Sequence, residues 1–362
     1  MNLINEYCAN SQYADYEEPV AYVTRLLNRL WHCEALCASK LCCGSCVFVL
    51  LLICSLSLVS CSGSSDEPEG YGSAPVVVSI QLDTAMVAYQ EMDVDSRATD
   101  ACDLRCQVVA YPVNSSGSLD ALPVAQSTVI FNSKGQQGEC RMVLPSGNYR
   151  LLAWADYVDR GSLVDKYYVT SNLGDITFKD RYVGNTDNRN AYMGGVDVNF
   201  QVRQGDTATV IRPTLSLRSV MGKVKFISTD YNAFLEKQQN VRILVAYTGF
   251  LPSHFSVPRG VPFDASTGIN FISSISDIDT SGDGQATLGF DYVMVNGEES
   301  SVTMALGLYD DDGKLVGQTT NINVPIKRGG LTVVKGHFLT MSSGGGGIGI
   351  DPSFEGDINV YY

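Results

Sequence analysis

Histidine is scarce in this sequence, which limits the catalysis that it can support. Only three histidines occur, and the two beyond the N-terminal leader are His254, in a turn-rich stretch, and His337, at a strand position. Neither belongs to a recognisable nucleophile motif or to an HExxH-type metal motif. The sequence therefore predicts a protein without enzymatic activity.

Cysteine is also sparse beyond residue 61, where only Cys102, Cys106 and Cys140 follow. Cys102 and Cys106 have the short spacing of a zinc pair, but no second pair of ligands follows them. In an oxidising compartment these residues can form one disulfide, between Cys140 and either Cys102 or Cys106. The remaining thiol would then be unpaired.

An acidic stretch at residues 277–288 resembles a calcium loop only superficially. An EF-hand loop needs an acidic residue at its twelfth position. Counting from Asp277 or Asp279 places Leu288 or Phe290 there. A solvated turn is therefore favoured, and the sequence predicts no metal and no cofactor.

Positive charge is in deficit, because 25 Lys and Arg residues stand against 39 Asp and Glu residues, for a net charge of −14. A surface of this sign repels the phosphate backbone of nucleic acids. The composition therefore predicts that DNA and RNA are not partners.

Apolar runs long enough to span a membrane are missing as well. The apolar stretch at residues 47–60 has 14 residues, whereas a bilayer-spanning helix needs roughly 20. Arg25, Arg29 and Lys40 precede it, and a short apolar core behind positive charges is typical of a signal peptide.

The apolar stretch stops at Cys61, and residues 58–61, which read LVSC, resemble the lipobox of bacterial lipoproteins. In such proteins the cysteine becomes the new N-terminus and carries fatty acyl chains such as palmitate, which hold it on a membrane. We interpret residues 1–60 as a signal peptide. Translation could also start at a codon later than that of Met1, which would shorten this segment. The alternative is a short buried helix with an unrelated cysteine.

Residues 61–74 are rich in Gly, Ser, Pro and acidic side chains and predict a flexible tether. Acidic residues directly behind the cysteine also resemble the surface-export signal of Bacteroidetes lipoproteins. The expected location is therefore the cell outer membrane, with the chain lipid-anchored and exposed at the cell surface.

Beyond the tether, short β-branched runs alternate with Gly, Asn, Asp and Pro, which predicts an all-β chain. In the first run Val76, Val78, Ile80 and Leu82 share one face. The predicted strands cover residues 76–83, 105–113, 126–131, 139–144, 149–156, 197–202, 206–215, 219–228, 240–248, 285–295, 301–310, 314–326 and 331–341. Hairpin turns are predicted at residues 145–148, 296–297 and 312–313.

Only residues 231–238 have a helical pattern, with Asp230 as the expected N-cap. Strands at this spacing, joined by Gly-rich turns, favour sandwiches over a parallel sheet. Pro213 interrupts a strand pattern, so we predict two β-sandwich domains at residues 75–213 and 214–341.

Residues 342–362 begin with a Gly/Ser hinge and end in a strand-like pattern, in which Ile358, Val360 and Tyr362 alternate with Asp357, Asn359 and Tyr361. An isolated strand needs a partner sheet. The partner belongs either to its own domain or to a neighbouring molecule.

A group of aromatic residues, Tyr157, Tyr167 and Tyr168, lies near Trp154 in the sequence. Aromatic faces can stack on the apolar faces of sugars. Packing within the core is the commoner explanation for such a group.

Several stretches carry a resemblance to a known family, namely residues 144–159, 165–176, 182–195, 212–226 and 333–362. The segments WADY (154–157) and GNTD (184–187) are the most specific. Together they resemble the Bacteroidales fimbrillin-like lipoproteins, which are related to type V pilus subunits and are DUF6562-like. The resemblance implies two tandem transthyretin-like Greek-key β-sandwiches.

In the polymerising members of this group an Arg-specific protease removes the first strand, and a strand from another subunit then fills the groove. The resemblance implies that residues 76–83 form that first strand and that Arg97 or Arg105 is the cut site. Arg105 is the weaker candidate because it begins a predicted strand. An incidental solvated arginine is an equal alternative for Arg97.

The resemblance also implies a C-terminal donor strand, with candidate groove-filling side chains Ile348, Ile350, Phe354, Ile358, Val360 and Tyr362. The same residues could equally complete the sheet of their own domain.

Taken together, these features predict the surface-exposed lipoprotein precursor of a fimbrial or pilus subunit or adhesin. Its expected partners are outer-membrane lipid, through acylated Cys61, and other pilus subunits. The sequence does not predict which ligand it binds on a host or bacterial surface. The alternative is a monomeric lipid-anchored lipoprotein that binds a glycan or a protein.

Overall fold

Strands make up most of the computed structural model, which describes residues 71–82, 101–131, 137–179, 181–205, 209–237, 240–341, 349–350 and 357–361. These residues all belong to one unit that extends over residues 67–362. Its helical elements are the 3-10 turn η1 (Asp187–Arg189) and the short helix α1 (Tyr231–Leu235). No helix among the described residues is long and apolar enough to cross a membrane.

The strands of the first half are β1 (Ser73–Leu82), β2 (Cys102–Pro112), β3 (Ala125–Phe131), β4 (Gln137–Pro145), β5 (Gly147–Asp159), β6 (Tyr168–Val169), β7 (Ile176–Phe178), β8 (Ala191–Phe200) and β9 (Thr214–Ser219). Those that follow are β10 (Met221–Ser228), β11 (Arg242–Tyr247), β12 (Leu251–Ser256), β13 (Val261–Ser266), β14 (Asn270–Ser273), β15 (Ser276–Asp279), β16 (Gln285–Met294), β17 (Glu299–Tyr309), β18 (Leu315–Gln318), β19 (Ile322–Lys327), β20 (Leu331–Gly336), β21 (Gly349–Ile350) and β22 (Asp357–Tyr361).

The first sheet has the strand order β3-β2-β5-β8-β9-β1-β4. The first and last strands of the first half, β1 and β9, are therefore neighbours in this sheet. Its apolar side chains enclose one core, to which Val78, Val108, Leu151 and Leu215 each contribute a fully buried side chain. Burial of this kind contributes roughly 1.5–3 kcal/mol for each large aliphatic side chain. The half therefore folds around a core of its own.

The second half contains a six-stranded sheet, β15-β16-β10-β20-β22-β21, and a five-stranded sheet, β14-β11-β17-β18, in which β19 also pairs with β17. Side chains from both sheets meet in a second core that includes Val224, Val245, Leu306, Val324 and Val334. The period-2 alternation of the sequence places these residues on the inner faces.

A third apolar cluster joins the two halves. It includes Trp154 and Ile176 from the first half and Phe255 and Met294 from the second. Beside it, β7 pairs with β12 in the four-stranded sheet β13-β12-β7-β6. The halves are therefore connected by a shared sheet as well as by apolar packing.

The all-β prediction is confirmed, and the arrangement of several sheets is consistent with β-sandwiches. The tandem transthyretin-like topology and the domains at residues 75–213 and 214–341 stay predictions. The structure adds that β9, which follows Pro213, pairs with β1 and β8 in the first sheet. The chain enters the second half's sheets at β10, directly after β9.

Four local predictions are wrong in detail. Proline lacks a backbone donor, and the strand predicted for residues 206–215 begins only after Pro213. The single strand predicted for residues 314–326 is divided into β18 and β19, which pair with different parts of β17. Residues 145–148 are not a hairpin, because β4 pairs with β1 whereas β5 pairs with β2 and β8. Residues 296–297 are not a hairpin either, because β16 and β17 lie in different sheets.

The segment between β11 and β16 contains four strands, β12 to β15, that the sequence did not predict. Its apolar residues are interrupted by Pro252, Pro258 and Pro262, which obscures a period-2 pattern. Neighbouring strands supply the pairing that stabilises it, since β12 pairs with both β13 and β7. The predicted helix is confirmed over Tyr231–Leu235.

Gly222 offers a test of the second core's packing. A Cβ atom there would collide with the Ile326 side chain and lie 2.6 Å from the Lys327 carbonyl oxygen. We expect Gly222→Ala to lower the free energy of unfolding by about 1–3 kcal/mol, because overpacking displaces neighbours. The matched control is Gly249→Ala, whose Cβ would be 3.4 Å from Thr303. Equal chemical-denaturation midpoints for the two variants would contradict this packing.

Candidate functional site

β1 is the element on which the predicted strand exchange depends, and it lies between β4 and β9. Its antiparallel ladder with β4 runs from Ser73, opposite Pro145, to Gln81, opposite Gln137. Its parallel ladder with β9 runs from Ser79 to Leu82. Both edges of β1 are therefore paired.

The pairing of β1 continues beyond β9 into the segment before it. The Val77 amide donates to the Ile211 carbonyl at 2.8 Å, and the Ser79 amide donates to the Pro213 carbonyl at 3.0 Å. The Ile211 amide in turn donates to the Pro75 carbonyl at 3.0 Å. The chain around Pro213 thus forms backbone hydrogen bonds with β1, although not all of it is a strand.

One face of β1 closes the first core. Ala74, Val76, Val78 and Ile80 are all 0% exposed and belong to that core's cluster. The spacing follows from the alternation of side chains along a strand, and it agrees with the face predicted from the sequence. Removal of β1 would leave an apolar groove between β4 and β9.

The C-terminal strand-like segment joins its own chain in this structure. β22 pairs in parallel with β20, with Thr332 opposite Ile358 and Val334 opposite Val360. β21 pairs with β22 on the other side, with Ile350 opposite Val360. Of the other candidate donor residues, Ile348, Phe354 and Tyr362 lie outside the described residues.

The two candidate cut sites differ in what the structure describes. Arg97 lies outside the described residues, as does the candidate lipidation site, Cys61. Arg105 lies within β2 and is 2% exposed. Cleavage at Arg105 would require β2 to leave the sheet, because a protease must bind the arginine side chain.

Arg105 is held by a network of acceptors on the outer side of the first sheet. Its guanidinium donates to both oxygens of Asp156, at 2.9 and 3.0 Å, and to Asp165 at 2.8 Å. It also donates to the Leu163 carbonyl at 2.6 Å and to the Thr170 hydroxyl at 3.1 Å. Sequence reasoning missed this network, since its members are distant along the chain.

The aromatic group near Trp154 is divided between the core and the surface. Trp154 and Tyr168 are both 0% exposed, and their rings pack edge to face at 5.7 Å. Burial raises the pKa of Tyr168 to about 12, and its hydroxyl donates to the Arg189 carbonyl. A sugar platform that includes these two rings is therefore excluded, while Tyr157 and Tyr167 are half-buried.

A buried polar junction connects the two halves, and sequence reasoning missed it. Arg189 Nη1 lies 3.4 Å from Asp291 Oδ1, and the two side chains are 2% and 0% exposed. The hydroxyls of Tyr182 and Tyr247 donate to Asp291 Oδ2 at 2.6 and 2.7 Å. Burial raises the pKa of both tyrosines well above the usual value, so both hydroxyls keep the protons that they donate.

A second ion pair lies in the same junction. Lys223 Nζ is 2.9 Å from Asp187 Oδ1, and the Tyr292 hydroxyl donates to the same oxygen at 2.8 Å. Asn185, which adopts a positive φ of 57°, exchanges backbone and side-chain hydrogen bonds with Phe290. The GNTD segment, which carried the sequence resemblance, thus lies at the contact between the halves. Its resemblance to the family was the sign of this junction that the sequence offered.

The cysteines of the first half are free thiols in this structure. Cys102, Cys106 and Cys140 are all buried, and burial raises the pKa of the Cys106 thiol well above its usual value. Within the part of the chain that the structure describes, no group of three or more Cys, His, Asp or Glu residues comes together as a metal site.

Comparison with known protein families gives a match that covers most of the chain. The profile of the family of unknown function DUF6562 matches residues 72–361. No match was found among curated proteins.

Several solved structures are similar to this chain at low identity. A candidate polysaccharide-binding protein from Bacteroides thetaiotaomicron is 14% identical, with a TM-score of 0.39, covering 68% of this chain and 79% of the other. A candidate cell adhesion protein from Bacteroides eggerthii is 14% identical, with a TM-score of 0.39 and coverages of 80% and 94%. The fimbrial anchor protein Mfa2 from Porphyromonas gingivalis is 12% identical, with a TM-score of 0.34 and coverages of 68% and 82%.

The junction generates a stability prediction. Asp291→Asn would leave the buried Arg189 without its counterion, and we expect a loss of about 3–5 kcal/mol in the free energy of unfolding. The matched control is Asp197→Asn, which breaks the exposed pair with Arg150, in which Asp197 is 67% exposed, and should cost at most about 1 kcal/mol. Urea unfolding measures both, and similar losses would contradict a buried charge pair at the junction.

Proposed function

The chain belongs to the DUF6562 family of unknown function, as its sequence resemblance predicted, and we propose that it is the precursor of a fimbrial subunit or adhesin. In this proposal it is anchored by lipid, exposed at the cell surface and assembled by strand addition. Its role is contact and assembly rather than catalysis.

The position of β1 carries this proposal. Loss of β1 would leave backbone groups of β4 and β9 unpaired and would open a groove where Val76, Val78 and Ile80 now lie. Unpaired buried backbone groups are costly, and an extended peptide with alternating apolar side chains would restore both the ladder and the core. Strand addition is therefore the mode of assembly that this sheet supports best.

Arg97 is the cut site that we retain in the proposal. It lies in the sequence between β1 and β2, so cleavage after it separates β1 from the rest of the sheet without dividing a strand. Arg105 would require prior loss of β2, because its side chain is buried and paired with Asp156.

We propose the C-terminal segment as the donor, with the side chains predicted from the sequence. The segment follows a Gly/Ser-rich stretch at residues 342–347, a composition typical of flexible linkers. Its strand β22 pairs with β20 in parallel, and parallel pairing is slightly less stable per residue than antiparallel pairing. Release of β22 from its own sheet is therefore less costly than release of a central antiparallel strand.

A second candidate function is that of an anchored monomer that binds a glycan or a protein. The observation that favours it is a cleft of about 260 Å³, lined by basic and aromatic side chains, beside the junction. Both candidates place the chain at the outer membrane, and they differ in whether β1 must leave.

Proteolysis separates the two candidates. We expect an Arg-specific protease to remove the segment through Arg97 from the purified precursor, and SDS-resistant ladders to follow on gels. Arg97→Ala should stay monomeric, whereas the control Arg141→Ala, whose side chain is 78% exposed on β4, should assemble as the unaltered chain does. A precursor that stays an intact monomer after treatment would overturn assembly by strand addition.

The lipid anchor has its own test. Cys61→Ala should abolish incorporation of labelled palmitate and release the protein from the membrane fraction, because no thiol is left to acylate. Cys54→Ala, within the same apolar stretch, is the control and should keep both properties. Membrane retention and labelling that survive Cys61→Ala would refute the anchor.

A further inference from the structure

A small cleft beside the junction, here called the cationic cleft, has a volume of about 260 Å³. Four of the eight side chains that line it are basic, namely Lys166, Lys179, Arg181 and Arg189. No acidic residue is among the described residues that form its lining.

The charge of the cleft is opposite to that of the chain. The whole sequence carries a net charge of −14, so positive charge is concentrated at this place against an acidic background. A concave surface with one sign of charge focuses its field and attracts ions of the opposite sign. The cleft therefore favours an anionic group.

Neighbouring acceptors neutralise this charge only in part. Lys166 Nζ pairs with Asp159 at 2.5 Å, but Asp159 is 69% exposed and the pair is screened by water. Lys179 Nζ donates to the backbone carbonyl of Asp165 at 2.7 Å, which brings no full negative charge. Arg189 is paired with the buried Asp291, and Arg181 is exposed to solvent.

Arg189 supplies an unused donor in the inner wall. Its side chain is 2% exposed, and its Nη2 atom is buried without a hydrogen-bond partner among the described residues. Its Nη1 atom makes only long contacts, 3.3 Å to the Val183 carbonyl and 3.4 Å to Asp291. A buried donor without an acceptor is costly, so a ligand oxygen within reach would relieve that cost.

The remaining walls are largely aromatic. Tyr167, Phe178 and Tyr182 line the cleft with the basic residues. Arg189 lies over the Tyr182 and Phe178 rings, with 3.8 and 4.9 Å from the guanidinium carbon to the ring centres, and Lys166 Nζ lies 5.4 Å from the centre of the Tyr167 ring. A ligand would therefore contact the apolar ring surface that these cations do not cover. The lining thus combines cations with apolar surfaces, in a cleft large enough for a ligand with one small ring.

We propose that the cationic cleft binds a carboxylate-bearing sugar, with the carboxylate toward the basic residues and the sugar ring against the aromatic walls. A long polyanion such as nucleic acid or an anionic membrane fits less well, because the net negative charge of the chain would repel it. The site is independent of strand exchange and serves an assembled subunit and an anchored monomer alike.

Titration calorimetry with the purified full-length chain tests this site. Glucuronic acid and N-acetylneuraminic acid are the probes, and glucose and galactose are the neutral controls. We expect heat of binding for at least one acidic sugar, a weaker affinity at high salt, and no binding of the neutral sugars.

Charge reversal locates the binding. Arg181→Glu should weaken the affinity for the acidic sugar by at least about tenfold, since it removes one charge-assisted contact and adds repulsion. Arg141→Glu, at an exposed arginine on β4, is the matched control and should leave the affinity unchanged.

Three outcomes would overturn the proposal. One is the absence of binding by either acidic sugar, and another is an affinity that Arg181→Glu does not alter. The third is equal binding of acetate or of a polyglutamate peptide, which would assign the cleft to carboxylates in general or to acidic peptides. Each is distinct from failure of strand exchange, because β1 is untouched in all of these measurements.

Discussion

The first sheet depends on the hydrogen-bond ladders that β1 makes on both of its edges. β4 and β9 do not pair with each other, so β1 alone connects them and supplies the acceptors and donors that each requires. Backbone groups in a buried sheet must be paired, and the core beneath β1 must be filled. In the strand exchange that we propose, the segment that takes the place of β1 must therefore be another strand with a similar apolar alternation.

A second constraint acts where the two halves meet. Burial of Arg189 and Asp291 is favourable only while each keeps its partner, because an isolated charge in an apolar surrounding is costly. The tyrosine hydroxyls and the stacking of Arg189 on Tyr182, with 3.8 Å between the guanidinium carbon and the ring centre, complete the arrangement. Arg189 also lines the cationic cleft, so one side chain belongs both to the connection between halves and to the proposed binding site.

Much of the fold could be predicted because its strands alternate cleanly. The inner face of β1 and the hairpin at Asp312 and Gly313, which joins the paired strands β17 and β18 and where Gly313 has a φ of +79°, follow from local chemistry. Strands β12 and β13 could not be predicted, since proline interrupts their pattern and β12 is stabilised by pairing with distant β7. The turns at residues 145–148 and 296–297 have hairpin chemistry but connect strands that do not pair with each other, which local sequence does not distinguish.

The sequence by itself determined the all-β class, the family, and the apolar face of β1, because period-2 alternation and short specific segments are local properties of the chain. Only the tertiary structure decided that Arg105 is buried rather than open to a protease, that Trp154 and Tyr168 belong to a core, and that Arg189 meets Asp291. The physical reason is sequence separation. Arg105 meets Asp156 across 51 positions and Arg189 meets Asp291 across 102, and no local pattern records which of them will meet.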